Sequence, residues 1–440
     1  MNPIAQDLNQ VIEKGNPHLM EMLSDMGKNL FFPKGILSQS AEAKEKAHKL
    51  NATIGIATEK GKTMHFSSVM DSLGKIRPEA SLTYAPSFGI PALRKTWRDS
   101  LFMKNPSLVG KRISLPVVTC GITHAISMFA DIWLNPQDVV ILPEMMWGNY
   151  NMILNVKKGA VISKYSLFFQ NKEFNLKAFE KQVKTEAENR DKIAVLLNFP
   201  HNPSGYSVSE KEGERLAEIL AETADKGTNV IAVLDDSYFG LFYEDQTMKE
   251  SLFASLCERH PKMLAIKLDG ATKESFVWGL RVGFITYGCA LAGNNEIVYD
   301  ALERKTAGSI RGSISNASHL GQTVVLKSMQ SDDYTAEKEE KFKILKSRAM
   351  RVRAVLMNPK YKDAWDVYPF NSGYFMCIRL KSVNSETLRL HLLERYGVGL
   401  IAIGERDLRI AFSCLEESDI LELFNIVLQG IEDLKGSSTQ

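Results

Sequence analysis

Between about residues 115 and 290 the chain alternates short, continuous apolar runs with helix-length amphipathic segments. The runs are SLPVVTC, DVVILPE, AVISKYSL, KIAVLLNFP, NVIAVLDDSY, MLAIKLDG and RVGFITYG, and ITHAISMFADIWL and SEKEGERLAEILAETADKG read as helices among them. Strands that are apolar throughout, and that alternate with helices, belong to a mostly parallel sheet covered on both faces. A later section opens on a long charged helix over 335–357, TAEKEEKFKILKSRAMRVRAVLM. Acids opposite its basic half make it a solvated helix face rather than a membrane or calmodulin-type segment. Beyond it, GYFMCIRL and DLRIAFS read as strands of a smaller α+β part. No internal repeat is present, and the only low-complexity stretch is a polar tail, KGSSTQ.

The totals narrow the class. A chain of 440 residues exceeds one small core, so two domains, or one with an appendage, are expected. A net charge of +2 argues against a nucleic-acid groove or an acidic membrane surface as partner. Cys120, Cys257, Cys289, Cys377 and Cys414 are scattered, odd in number and never in a CxxC pair, which suits a reducing compartment and gives no metal site. The first twenty residues lack an apolar run flanked by basic residues, and no stretch approaches the ~18 apolar residues of a membrane span. The expectation is a soluble, cytoplasmic protein.

In an open parallel sheet, ligands bind at the carboxyl ends of the strands. VVTC ends at Gly121, Ile122 and Thr123, which open a helix whose free N–H groups suit an anion, or form a plain strand-to-helix turn. DVVILPEMMW ends at Trp147, an indole that either stacks on a flat ring or fills the core. AVLLNFP ends in the turn HNPSG, where Asn202 either donates to an oxygen or supports the turn. VIAVLDDSY ends at Asp235 and Asp236, with Tyr238 beyond, and a carboxylate closing a buried strand needs a cation or donors. AIKLDGAT delivers Lys273, followed eight residues later by Arg281 in an apolar, glycine-punctuated run. A lysine held out of water gives up its proton more readily and becomes a nucleophile. A buried arginine keeps its charge and requires an anion. Arginine, amine, carboxylate and flat surface together suit a planar, phosphorylated, electron-poor ring joined to lysine, and that ligand is pyridoxal 5′-phosphate.

With these motifs the chain resembles the fold-type I pyridoxal-phosphate enzymes of the class I aminotransferase family, above all its aspartate aminotransferase branch, over about residues 51–415. HNPSG is similar to the family's HNPTG, which implies Asn202 as donor to the ring hydroxyl. DDSY is similar to D-x-x-Y, which implies Asp235 rather than Asp236 as partner of the pyridinium nitrogen, and Tyr238 as a second donor to the hydroxyl. The lysine-to-arginine interval also matches, so Lys273 would bond covalently to the cofactor and Arg281 would grip its phosphate. Gly121, Ile122, Thr123 and Thr272 would complete the phosphate site. WGNY resembles WGNH, placing Trp147 on the ring. YAPSFGIPALR resembles Y-x-P-x-x-G, which implies that Tyr84 reaches the phosphate of a partner subunit.

For the substrate, DLRIAFSC implies Arg409 as the two-point holder of the α-carboxylate. SIRGSISNAS is similar to IRPMYSNPP, which implies Arg311 as a second-subunit clamp on a distal carboxylate. Here Asn316 is followed by Ala317 and Ser318 instead of prolines, and Ile314 replaces a tyrosine. NATIGIATEKGKTMHF resembles NLGVGAY and brings Gly55 near the substrate.

The resemblance thus implies an α/β, fold-type I architecture. A mostly parallel seven-stranded sheet with helices on both faces would lie in a large domain over 64–330. A smaller α+β domain would combine 1–63 with 331–440. It implies a homodimeric aminotransferase acting on small-molecule L-amino acids and 2-oxo acids, with aspartate or glutamate as first donor. Alternatives are an aromatic or broad-range aminotransferase, a lyase or decarboxylase using the same cofactor, and a cofactor-binding regulator that has lost turnover. Two departures stand out. Gly270 occupies a position where the family commonly has serine, leaving Thr272 or Thr123 to supply a hydroxyl, and Tyr150 stands where the branch has histidine. GIATEKGKT imitates a phosphate-binding loop but has five residues between its glycines instead of four, and no strand before or helix after it, so nucleotide binding is rejected there.

Overall fold

The seven apolar runs form one sheet: β1 (Val117–Cys120), β2 (Val139–Pro143), β3 (Val161–Tyr165), β4 (Lys192–Asn198), β5 (Asn229–Asp235), β6 (Met263–Gly270) and β7 (Val282–Cys289). The computed structural model describes residues 1–32, 35–170, 172–293 and 295–437, so the last three residues of the polar tail lie outside it. The strand order is β1-β7-β6-β5-β4-β2-β3. All are mutually parallel except β7, which runs against both neighbours. The segment from 271 to 281 is too short for a helical crossover, so β7 returns beside β6 in the opposite sense.

The continuous apolar character of these strands follows from burial on both faces. Along β4, Ile193, Val195 and Leu197 enter one core cluster while Ala194 and Leu196 enter the other. Each such side chain contributes about 1.5–3 kcal/mol for the larger aliphatics. Helices α1 (Pro91–Lys104), α2 (Gly121–Trp133), α3 (Glu210–Asp225) and α4 (Asn295–Ser313) belong to this part of the chain. The start of α3 is fixed by a reciprocal cap between Ser209 and Glu212.

The long charged helix α5 spans Tyr334–Leu356, one residue from the expected bounds. Near its start Tyr334 packs edge-on against Phe66, which packs on Phe276. Further along, Arg348 donates to the carbonyls of Thr58 and Ser413. It therefore bridges the large sheet's surroundings and a second, antiparallel sheet. That sheet contains β8 (Trp365–Val367), β9 (Phe375–Leu380), β10 (Ile401–Ile403) and β11 (Asp407–Ala411) in the order β8-β9-β11-β10. Helices α6 (Ser385–Tyr396) and α7 (Ile420–Ser437) accompany it. Leu50–Asn51 pairs in parallel with Val398–Gly399, which ties the early chain to this second part. The imitation phosphate loop is a small hairpin, Thr58–Glu59 against Lys62–Thr63. Among the described residues no helix is long and apolar enough to cross a membrane.

Candidate active site

The carboxyl ends of β4, β5 and β6 and the start of α2 converge on a cavity of about 310 Å³. Of the residues singled out in the sequence, Gly55, Ile122, Thr123, Trp147, Asn202, Asp235, Tyr238, Thr272, Lys273, Arg281 and Arg409 all line it. Gly121 lies directly behind Arg281. Tyr84 and Arg311, expected from a partner subunit, stand outside the cavity of their own chain. Tyr84 is 90% exposed, and Arg311 donates through Nη1 to Ser315 Oγ at 2.5 Å.

Lys273 sits in a short helical turn, Ala271–Glu274, rather than an open loop. Its ammonium lies 4.6 Å from the centre of the Tyr238 ring. Loss of water pushes its pKa down to about 8, with the Arg281 charge adding to that shift and Asp235 opposing it. Arg281 was expected to be buried; it is half-buried, because it caps the Trp278–Leu280 turn just before β7, at the edge of the cavity, instead of lying within the strand. Its backbone is left-handed (φ 56°), and Nη1 donates to the Trp278 carbonyl at 3.3 Å. Among the described residues it has no carboxylate partner. A Cβ at position 121, where φ is +74°, would stand 2.4 Å from Arg281 Nη2, so only glycine lets the guanidinium seat against the first turn of α2. An unpaired guanidinium beside a helix N-terminus is suited to a phosphate.

Asp235 is buried at the end of β5. Tyr150 donates its hydroxyl to Oδ2 at 2.6 Å, and the Ser237 N–H donates to Oδ1 at 3.1 Å. Burial raises its pKa, opposed by Ser237, Tyr150 and the charge of Lys273. The phenol in place of histidine thus keeps a donor on this carboxylate. Asp236 pairs instead with Lys267 and accepts from Ser251 Oγ at 2.6 Å, so only the first of the two acids serves the cavity. His201 is neutral support for its turn: it contacts Ser204 Oγ and the Met145 carbonyl, and burial lowers its pKa to about 4.

Arg409, on β11, is 2% exposed and lies with its Cζ 4.2 Å from the centre of the Phe375 ring. It donates to the Thr53 carbonyl at 2.7 Å and to Asn202 Oδ1 at 3.3 Å, while its Nε has no partner. A buried guanidinium with a spare donor suits a carboxylate. Sequence reasoning missed Asn198, Ser237, Trp278, Phe375 and Ile36, which also line the cavity. Asn198 accepts from the Asn202 N–H at 2.9 Å and donates to the Asp235 carbonyl at 2.8 Å, joining two of the anticipated residues. Its signal was the one used for Asp235, a polar residue closing a buried run. Gly270 is also explained: a Cβ there would stand 2.8 Å from the Val282 carbonyl oxygen, so the strand pair leaves no room for serine.

The donor set fits pyridoxal phosphate: an unpaired cation cradled by Gly121, a carboxylate with neutral donors, an amine, and an indole face. A profile described as "Aminotransferase class I and II" matches residues 49–427. The aspartate aminotransferase of Bacillus sp. (strain YM-2) is 26% identical over 64% of this chain and 66% of the relative. That of Bacillus subtilis (strain 168) is 24% identical over 60% of this chain and 62% of the relative. The chain thus aligns with slightly less than two thirds of the length of each. Names for other substrates, N-acetyl-LL-diaminopimelate and kynurenine, occur among the matches as well. In the fold, a crystal structure of an aminotransferase from Anaerococcus prevotii superposes with a TM-score of 0.82 at 23% identity, covering 93% of this chain and 99% of that one. A profile match across most of the chain, over a cavity built to this pattern, means that the chain belongs to the class I and II aminotransferase family, whose cofactor is pyridoxal 5′-phosphate.

Proposed function

We propose that the chain is an aminotransferase moving the amino group of an L-amino acid, aspartate or glutamate first, to a 2-oxo acid. The observation that carries this reading is the convergence of Lys273, Asp235, Arg281 and Arg409 on one cavity. When bound, pyridoxal phosphate supplies an electron sink for the substrate's α carbon. The chain's residues supply the rest. Arg281, the N–H groups at Ile122 and Thr123, and the hydroxyls of Thr123 and Thr272 would hold the phosphate. Asn202 and Tyr238 would serve the ring hydroxyl, and Trp147 the ring face. Asp235, whose carboxylate form Tyr150 and Ser237 favour against burial, would keep a proton on the ring nitrogen. Lys273, with its pKa near 8, is partly neutral around neutral pH and suited first to bond the cofactor and then to move the α proton. Arg409 would hold the α-carboxylate.

We take residues 64–330 as the cofactor-holding domain and 1–63 with 331–440 as the smaller one. The working unit in this reading is a homodimer in the cytoplasm, because Tyr84 and Arg311 stand outside their own chain's cavity and would complete a neighbour's. Absorbance titration of cofactor-loaded protein with L-aspartate, L-alanine and L-tyrosine tests the reading. Loss of the lysine-bound band on aspartate alone supports the transfer and the Arg311 clamp. The same change with tyrosine or alanine but not aspartate keeps the transfer and removes the clamp. No lysine-bound band overturns the proposal.

A further inference from the structure

The residue after each of the two central charges is a second, buried acid. Asp236 follows Asp235 and Glu274 follows Lys273, and each is 4% exposed. Asp236 pairs with Lys267, whose Nζ is also 3.5 Å from Asp269 Oδ2, and Trp97 Nε1 donates to Asp269 Oδ1 at 3.2 Å. Glu274 Oε2 accepts from Lys104 Nζ at 2.7 Å and from Lys338 Nζ at 3.2 Å, while Oε1 is buried without a hydrogen bond. Three acids thus face three lysines, a balanced set. Buried ion pairs of this kind add little net stability over apolar side chains of similar volume, so their placement calls for another account. Lys104 is the last residue of α1, and Lys338 lies in the first turns of α5, the helix that leads to the second sheet. Glu274 is therefore held between two helices that approach it from different parts of the chain, one peptide bond from Lys273.

We propose that Glu274 is a positioning residue for Lys273: Lys104 and Lys338 fix its carboxylate, and through the Ala271–Glu274 turn they fix the amine over the Tyr238 ring and couple it to α5. The inference rests on the reading of Lys273 as the residue that bonds the cofactor. A mere structural ion pair would affect melting alone. A through-space charge effect would act oppositely when Glu274 or Lys338 is neutralised, since one removes negative and the other positive charge. Positioning demands that both changes slow the same step.

The test uses the cofactor-loaded protein and its Glu274→Gln, Lys338→Met and Lys338→Arg variants. The measurements are the single-turnover loss of the lysine-bound absorption band on an accepted amino acid, the pH midpoint of that band, and the melting temperature. The expected result is a slowing of about tenfold or more in both Glu274→Gln and Lys338→Met, with the rate recovered in Lys338→Arg, while the band midpoints move in opposite directions. Rates that follow the midpoints, or unchanged rates with lowered melting temperatures, overturn the inference. Lys338 is partly exposed, so if Glu274→Gln does not fold its two variants decide the matter by pH profile. A lowered rate plateau in Lys338→Met, recovered in Lys338→Arg, supports positioning, and a profile only displaced along the pH axis overturns it. Absence of the band in the unsubstituted protein fails the aminotransferase reading itself; a normal band with unaltered variants fails this inference alone.

Discussion

Nη2 of Arg281 lies 2.4 Å from the point that a Cβ on Gly121 would occupy. Gly121 opens α2 and Arg281 immediately precedes β7, and the arginine's seat exists only because the glycine carries no side chain. Gly121→Ala should therefore push the guanidinium outward and strain a left-handed backbone. Cofactor affinity should fall by about ten- to a hundredfold, equivalent to ~1.4–2.8 kcal/mol. Quenching of intrinsic fluorescence during cofactor titration measures it, and an unaltered dissociation constant would mean that Arg281 does not carry the phosphate.

Tyr150→Phe removes one donor from a carboxylate that burial already pushes toward its protonated form. The Asp235 pKa should rise further, and the acid limb of kcat/KM should move up by about one pH unit. A pH profile of the variant checks this, and an unmoved acid limb would mean that Ser237 alone sets the ionisation of Asp235.

Gly270→Ser restores the residue common in the family but places a Cβ against a backbone carbonyl at the last rung of a strand pair. Overpacking of this kind costs about 1–3 kcal/mol. Chemical denaturation should register a loss of stability without improved cofactor affinity. A tighter-binding, equally stable variant would contradict the steric account.

Lys273 bears on stability as well as chemistry. Unfolded, its amine would keep its proton up to the ordinary value of 10.5; folded, it releases it from about 8. The unfolded chain thus binds more protons between these values, so the cofactor-free protein should gain stability as pH rises through that window. Lys273→Met, which removes the buried cation, should melt higher than the unsubstituted, cofactor-free protein at pH 7. The difference should close by about pH 10.5. Differential scanning calorimetry across pH decides it.

Much of the large sheet was legible because burial on both faces leaves uninterrupted apolar runs, and the site because each run ends in a residue too polar for its surroundings. The direction of β7 was not, since an apolar run reads alike in either sense. Asn198 was missed because a single amide at a strand end looks like ordinary turn chemistry. The contacts of Glu274 with Lys104 and Lys338 join elements far apart in sequence, so no local spacing announces them. Arg281 lines the cavity but not at its expected depth, because its position just before the strand, rather than its apolar neighbours, sets its exposure.

Gly270 faces Gly283 across the last rung of the β6–β7 pair, and everything from Lys273 to Arg281 is spun out between these two posts. The span works as a gauge block: its length fixes how far the amine stands from the guanidinium. Elsewhere on this face, loops can lengthen without disturbing the strands that carry them. Here, a single inserted or deleted residue would change the separation of the amine and the guanidinium, so length variation among relatives of this chain should accumulate everywhere around the cavity except within this short span.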